Sequence, residues 1–225
     1  MINTNVIICM DFETTSRYPN TTQPIQLAAV AIHSQKLEII PGSEFESLIK
    51  PVEDPELQAK AGLGAIEDEA LAVNKKTMEE LRLAPDLKTV WTQFIEYVNN
   101  YNYKKNSYTA PIVAGYNILG FDNIITDRIC GPHGWNYGPW DKDRQKTSLF
   151  NPVRKIDLMD LAFCWFSGTA EPRKLSQEAL LDFCGMNVEG LHDAMVDTKA
   201  CAELICKFLK LHKTLVGRIN WNPNA

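Results

Sequence analysis

The chain has 225 residues, a net charge of −5, 45% apolar residues and 23% charged residues. This composition is typical of an ordinary globular protein. It excludes a disordered chain and a protein that grips duplex DNA through surface charge alone. The apolar run at 6–10 is too short for a signal peptide or a membrane span, so we expect a cytoplasmic protein with no membrane partner. The six cysteines form no CxxC pair, which favours reduced thiols.

The N-terminal part of the chain is predicted to form strands. Residues 5–13 and 25–33 are apolar runs separated by a turn-like segment, and a third run at 45–51 ends at a proline. Because these runs follow one another closely, they are predicted to form an antiparallel meander.

Helices alternate with strands in the remainder of the chain. Thr77 and Glu80 have capping-box spacing and predict the start of a helix, and Ser176 is a candidate cap for another at 175–185. Residues 155–161 suit either the end of a strand or the start of a helix. The further predicted elements are a strand at 110–116 and helices at 87–98, 121–129 and 191–212. This order indicates an α/β fold, a mixed sheet flanked by helices, with one domain over 1–215 and a tail at 216–225.

The helix predicted at 191–212 has a carboxylate on its apolar face. Asp197 extends by one turn the stripe formed by Ala200, Cys201, Leu204, Ile205, Phe208 and Leu211. An unpaired buried carboxylate is costly, so a compensating charge is expected beside Asp197. His192 lies five residues earlier, and both side chains can point to one place if His192 is at or before the helix start.

Other carboxylates follow predicted strands. Asp11 and Glu13 end the first strand, where residues two apart point to the same face at a separation of roughly 7 Å. A D-x-E triplet also arises by chance in a chain of this length, so the pair alone does not establish a site. Asp122 follows the strand at 110–116 and suits either a site or the first turn of a helix. Asp157 is interpreted as structural.

A shared metal site would explain why Asp197 lies on an apolar face. Four carboxylates from distant segments could converge on two divalent cations, which would offset their charge: Asp11, Glu13, Asp122 and Asp197. Oxygen ligands suit Mg²⁺, with Mn²⁺ able to replace it, and no Cys/His spacing suits zinc. His192 would titrate near neutral pH and is suited to act as a general base.

Residues 131–155 are predicted to form an inserted loop that mixes aromatic and basic side chains. The bases of a single strand stack on aromatic rings while its phosphates meet cations, which makes Trp135 and Trp140 candidate substrate contacts. The alternative is that several aromatic rings of this loop fill the core beneath it.

Three segments, DFET, GYN…FD and HDAMVD, occur in this order and resemble the three motifs of the DEDD exonuclease superfamily. His192 is similar to the histidine of the DEDDh (DnaQ-like) subgroup, whereas the DEDDy subgroup has Tyr at the position of Asp193. Within the subgroup, the chain is similar to the catalytic domain of bacterial exonuclease I. The resemblance implies a ribonuclease-H-like fold and a metal-dependent 3′–5′ exonuclease acting on single-stranded DNA.

The resemblance also implies roles for individual residues. Those that resemble ligands of two Mg²⁺ ions are Asp11, Glu13, Asp122 and Asp197, and His192 resembles the general base. Those that resemble residues at the terminal nucleotide, or supporting it, are Phe12, Thr14, Thr15, Asn117 and Phe121. Val73 and Asn74 resemble a loop that packs on the terminal base.

Three other functions fit parts of this pattern. An exoribonuclease of the same superfamily shares the acids and the histidine, and nothing in the sequence reports on the 2′-hydroxyl. A nucleic-acid-binding module without activity is expected to have lost a ligand, whereas all four acids and His192 are present. A metal phosphatase would act on small phosphoesters and not on oligonucleotides. The expected partner is a single-stranded DNA 3′ end, with RNA as the alternative.

Overall fold

A six-stranded sheet lies at the centre of the part of the molecule that the structure describes. The computed structural model describes residues 6–139, 148–190 and 193–218. The strands are β1 (Ile7–Thr14), β2 (Pro24–His33), β3 (Glu38–Ile39), β4 (Phe45–Leu48), β5 (Ile112–Gly115) and β6 (Lys155–Asp157).

The sheet combines antiparallel and parallel pairing. β1 pairs antiparallel with β2 on one side and parallel with β5 on the other, and β5 continues in parallel to β6. β3 and β4 both pair with the outer edge of β2, at 32–33 and 26–29 respectively. The predicted mixed sheet is confirmed. β3 is an additional strand, whose two residues are too few to show a pattern in the sequence.

Helices cover both faces of the sheet. They are α1 (Pro55–Lys60), α2 (Asp68–Val73), α3 (Met78–Arg82), α4 (Leu87–Asn100), α5 (Asp122–Cys130), α6 (Leu158–Phe166), α7 (Gln177–Phe183) and α8 (Ala194–Val216). The predicted caps are confirmed: the hydroxyl of Thr77 accepts the N–H of Glu80 at 3.2 Å, and that of Ser176 accepts the N–H of Ala179 at 3.3 Å. Residues 155–161 form both alternatives, the strand β6 and the start of α6. α1 and α2 were not predicted. Each has six residues and buries a single side chain, so neither shows an apolar stripe in the sequence.

Alternation along β1 divides its side chains between two cores. The even-numbered residues from Ile8 to Phe12 face the core beneath α4 and α5. The odd-numbered residues, beginning with Ile7, face the core covered by α6, α7 and α8. Asp11 and Glu13 continue the odd-numbered set, so their side chains lie on the α8 side of the sheet.

α8 packs its apolar stripe against β1 and β2. The stripe is buried as far as Phe208. Leu211 was predicted to belong to the stripe, but it is 47% exposed and lies beyond Phe208, the last buried residue of the helix. Among the helices that the structure describes, none has the length and hydropathy of a membrane span.

The described parts of the predicted loop, 131–139 and 148–155, supply aromatic side chains to the core. Phe150 is 8% exposed, and its ring centre lies 6.2 Å from that of Phe94. Trp135 is partly buried against the same core, and the guanidinium of Arg128 lies 4.9 Å from the centre of its ring. The core-filling alternative is therefore correct for Phe150.

Gly115 allows β5 to approach β1 closely. A Cβ atom added at Gly115 would lie 2.9 Å from the carbonyl oxygen of Met10 and 2.9 Å from Cδ1 of Ile118. Because a backbone carbonyl cannot rotate away, Gly115→Ala is expected to lower the free energy of unfolding by roughly 1–3 kcal/mol, measured by urea denaturation. Gly217→Ala is the control, since a Cβ atom there would meet no atom closer than 3.5 Å. Equal stability of the two variants would contradict the close approach.

Candidate active site

The acidic end of β1 lies where its regular pairing stops. Asp11 pairs with Ala28 and Glu13 pairs with Gln26 of β2, and the register shifts directly after Glu13. Both carboxylates are partly buried on the α8 side of the sheet. The strand therefore presents two acids to one face at its carboxyl end.

Asp122 reaches β1 from a neighbouring element. It is the first residue of α5 and is 2% exposed. Its Oδ1 accepts a hydrogen bond from the backbone N–H of Phe12 at 3.0 Å, between the two acids of β1. The first-turn interpretation describes the position of Asp122 in the helix, but its carboxylate is directed to the strand.

Asp157 holds the turn between β5 and α5. Its carboxylate accepts the backbone N–H groups of Asn117 at 2.9 Å and Leu119 at 3.1 Å, and it also accepts the N–H of Met159 at 2.9 Å as the cap of α6. Asn117 has a left-handed conformation with φ of 51°. Asp157 is therefore structural, as predicted, and it fixes the direction in which α5 begins.

Asp197 is partly buried in the first turn of α8. The helix is capped by Asp193, whose Oδ1 accepts two backbone N–H groups of that turn at 3.2 and 3.3 Å. The side chain of Gln177 donates to the carbonyl of Asp197 at 3.0 Å, which joins α7 to the same turn. The charge of Asp197 raises the pKa of both Asp11 and Glu13, so the start of α8 lies near the acidic end of β1.

The four carboxylates that the structure brings together form what we call the acidic cluster: Asp11, Glu13, Asp122 and Asp197. Burial, followed by the charges of the other three acids, raises the pKa of Asp11 well above its usual range. Burial and then Asp197 raise the pKa of Glu13 to about 7, against an opposing effect of Lys76. Burial also raises the pKa of Asp122 to about 7, although a backbone hydrogen bond opposes the change. The members of the cluster therefore repel one another in a partly dehydrated region.

A cavity of about 620 Å³ opens beside Glu13. Five residues that were predicted to contact substrate line it: Phe12, Thr14, Val73, Asn74 and Phe121. Asn74 also holds the end of β1, since its amide donates to the carbonyl of Thr14 at 2.9 Å. A cavity of this size with mixed aromatic and polar lining suits a small ligand.

Three other predicted substrate contacts lie elsewhere. Thr15 is fully buried, and its hydroxyl pairs with that of Thr22 at 3.3 Å. Asn117 forms the turn before α5, and Trp135 packs on Arg128. None of these three residues is among the described residues that line the cavity. They support the surrounding structure, and their roles as substrate contacts remain predictions.

The sequence prediction missed the outer side of the cavity. Arg17 and Tyr18 line it from the turn after β1, and Glu67 and Glu69 line it from the start of α2. The guanidinium of Arg17 lies 5.3 Å from the centre of the Tyr18 ring. An Arg–Tyr pair directly after a motif that ends a strand is the signal that could have marked this segment.

Two predicted residues, His192 and Trp140, lie outside the described residues, and their roles remain predictions. Asp193, the cap of α8, follows His192 directly in the sequence.

The donor chemistry of the acidic cluster fits a hard divalent cation, because such an ion would offset the repulsion among its carboxylates. Among the described residues, no three His, Cys, Asp or Glu side chains already stand in an arrangement that could hold a metal ion.

Comparison with known proteins connects this site to a family. The exonuclease family model RNase_T matches residues 8–116, which include Asp11 and Glu13. Among curated protein sequences, none matches this chain significantly.

The fold is similar to those of solved nucleases. E. coli exonuclease I in complex with a dT13 oligonucleotide has a TM-score of 0.69 and 18% identity, covering 95% of this chain and 43% of that one. The zinc-bound form of the E. coli exonuclease I–ssDNA complex has a TM-score of 0.68 and 20% identity, covering 94% and 41%. A 3′-exonuclease that recognises the histone mRNA stem-loop has a TM-score of 0.63 and 16% identity, covering 92% and 64%.

The chain spans less than half the length of these exonuclease I chains and about two thirds of that of the 3′-exonuclease. The likeness in structure establishes a shared fold, and the family model covers the strand that carries the first two acids. The remaining two acids meet them at the end of that strand. The chain is therefore similar to the exonuclease family over residues 8–116 and shares the fold of these solved nucleases.

Proposed function

We propose that this protein is a DnaQ-like 3′–5′ exonuclease of DEDDh type, which hydrolyses single-stranded DNA from the 3′ end to nucleoside 5′-monophosphates and depends on divalent metal ions. The observation that carries the proposal is the acidic cluster beside a cavity lined by Phe12 and Phe121. A base can stack on aromatic rings of this kind, and stacking requires an unpaired base. E. coli exonuclease I, which has the same fold, was solved with a dT13 oligonucleotide.

Two Mg²⁺ ions are the proposed cofactors, with Mn²⁺ able to replace them. Asp11 and Asp197 would hold one ion. Asp11 would also hold the second, together with Glu13 and Asp122 through waters. When bound, such ions activate a water nucleophile and stabilise the leaving 3′-oxygen. Zinc is the alternative ion to test, because E. coli exonuclease I has a zinc-bound form.

Residues of the chain position the substrate and move a proton. Thr14 and Asn74 lie in the cavity wall next to Glu13, where the terminal nucleoside would be held. His192 takes the proton of the attacking water, because an imidazole titrates near neutral pH. Asp193 follows His192 and caps α8, which connects the proposed base to the turn that carries Asp197.

An exoribonuclease is the second candidate function. A 3′-exonuclease with this fold recognises the histone mRNA stem-loop. The 2′-hydroxyl distinguishes RNA from DNA, and the polar cavity residues Ser16 and Glu67 could pair with such a group.

Asp197→Asn is expected to abolish cleavage, because it removes the charge of a proposed metal ligand while keeping its size. The measurement is a gel assay with 5′-labelled single-stranded DNA, matched RNA and duplex DNA, in Mg²⁺, Mn²⁺, Zn²⁺ or EDTA. A metal-dependent ladder that shortens from the 3′ end on single-stranded DNA is the expected result. Asp160→Asn, at an exposed position in α6, is the control and should retain full activity.

The same assay separates the alternatives. Cleavage of RNA alone would favour the exoribonuclease. Cleavage of small phosphoesters but of no oligonucleotide would favour a phosphatase. Strand binding without any cleavage would favour a binding module. An undiminished ladder with Asp197→Asn would contradict the proposed metal site.

His192→Ala is expected to slow the chemical step by roughly 10²–10⁴-fold, the usual contribution of a general base. Single-turnover kinetics on single-stranded DNA measure this step separately from product release. His133→Ala is the matched control, because His133 is an exposed histidine. If His192→Ala cleaved at the wild-type rate, another group would have to take the proton.

The raised pKa values predict that the metal-free protein loses stability as the pH rises. The pKa values of Glu13 and Asp122 are about 7 in the folded protein. In the unfolded chain both are about 4, so the folded state binds more protons between these values. The stabilising contribution is fully present below about pH 4 and is lost as the pH rises through about 7.

In EDTA, the contribution of Glu13 and Asp122 to the free energy of unfolding is therefore expected to be smaller at pH 8 than at pH 6. Glu13→Gln removes one of the two groups and should reduce the difference between the two pH values. Urea denaturation at both pH values measures it, with the exposed Glu79→Gln as the control. If the free energy of unfolding of Glu13→Gln differed between pH 6 and pH 8 by as much as that of the wild type, Glu13 would not titrate in this range.

A further inference from the structure

Lys76 is a largely buried cation beside the acidic cluster. Its side chain is 11% exposed, although lysine is among the residues least often buried. The backbone directs it inward: Lys75 has a left-handed conformation with φ of 53°, and the N–H of Lys76 donates to the carbonyl of Leu71 at 3.0 Å. The same segment is joined to β1 through the hydrogen bond from Asn74 to Thr14. The main chain therefore fixes where the side chain of Lys76 begins.

One carboxylate contacts this ammonium, and a second interacts with it through its charge. Oδ2 of Asp193 lies 3.7 Å from Nζ of Lys76, while Oδ1 accepts the backbone N–H groups at the start of α8. The positive charge of Lys76 also lowers the pKa of Glu13, whereas Asp193 raises it. Lys76 therefore links an acid of the cluster to the cap of α8.

The charges of this region balance with two divalent ions only when Lys76 is included. The acidic cluster and Asp193 carry five negative charges, and Lys76 carries one positive charge. Four negative charges remain, and two divalent cations neutralise four negative charges. Without Lys76, the free oxygen of Asp193 would be attracted to a bound cation and drawn away from the backbone that it caps.

We propose that Lys76 is a positioning residue that holds Asp193 on the end of α8 and out of the metal site, and that it thereby sets the affinity for the two ions. The inference rests on the proposed function, because it requires the acidic cluster to bind metal. The proposal predicts that removing the charge of Lys76 and removing the charge of Asp193 change the metal affinity in opposite directions. A lysine that merely supports the fold would not produce this result.

The test is calorimetric titration of the full chain with Mn²⁺ in the absence of nucleic acid. Lys76→Met is expected to tighten Mn²⁺ binding roughly tenfold, because it removes a positive charge near a divalent ion. Asp193→Asn is expected to weaken binding by a similar factor, since it removes a negative charge that compensates Lys76 while asparagine still caps the helix. The double variant restores the net charge and should return close to wild-type affinity, as should Lys76→Arg.

Turnover provides the second readout. In Lys76→Met, kcat is expected to fall while KM for single-stranded DNA is unchanged, and Lys76→Arg should recover kcat. Unaltered Mn²⁺ affinity in a folded Lys76→Met would overturn the inference while leaving the proposed metal site in place. Failure of the wild type to bind Mn²⁺, or unchanged binding by Asp197→Asn, would instead overturn the proposed function, and the role of Lys76 with it.

Discussion

Repulsion among partly buried carboxylates is the constraint on which the arrangement of this protein depends. Burial and the three neighbouring acids together raise the pKa of Asp11 well above its usual range. A cluster of this kind opposes folding unless the structure around it supplies compensating free energy. β1 supplies it, because the residues that precede Asp11 are buried in the two cores on opposite faces of the sheet. Two of the acids are therefore held at the end of a buried strand.

Backbone N–H groups determine how the other segments meet this strand. The N–H of Phe12 anchors Asp122. The carboxylate of Asp157 accepts two N–H groups of the turn before α5 and one at the start of α6, and Asp193 accepts two at the start of α8. Main-chain donors have few alternative positions once their elements are packed, so they orient carboxylates more firmly than long side chains do. The geometry of the site therefore depends on where helices begin, and only indirectly on the residues inside the cavity.

Features that depend on neighbouring residues could be predicted from the sequence. The caps at Thr77 and Ser176 are examples, and so is the shared face of Asp11 and Glu13. The pairing of β3 and β4 with one edge of β2 could not be predicted, because it depends on contacts between distant segments. The position of Lys76 could not be predicted either. It follows another lysine and resembles a solvated pair in the sequence, and only the left-handed turn after α2 directs it inward.

The outer side of the cavity is tied to α5, the helix that also carries Asp122 of the acidic cluster. The turn that presents Tyr18 is tied to α5 by Arg128, whose Nη1 donates to the carbonyls of Pro19 at 2.7 Å and Thr22 at 2.9 Å. Trp135 in turn covers this guanidinium at 4.9 Å. The aromatic loop therefore connects to the outer side of the cavity through Arg128. Because α5 also begins with Asp122, the loop, this side of the cavity and one acid of the cluster are all positioned by the same helix.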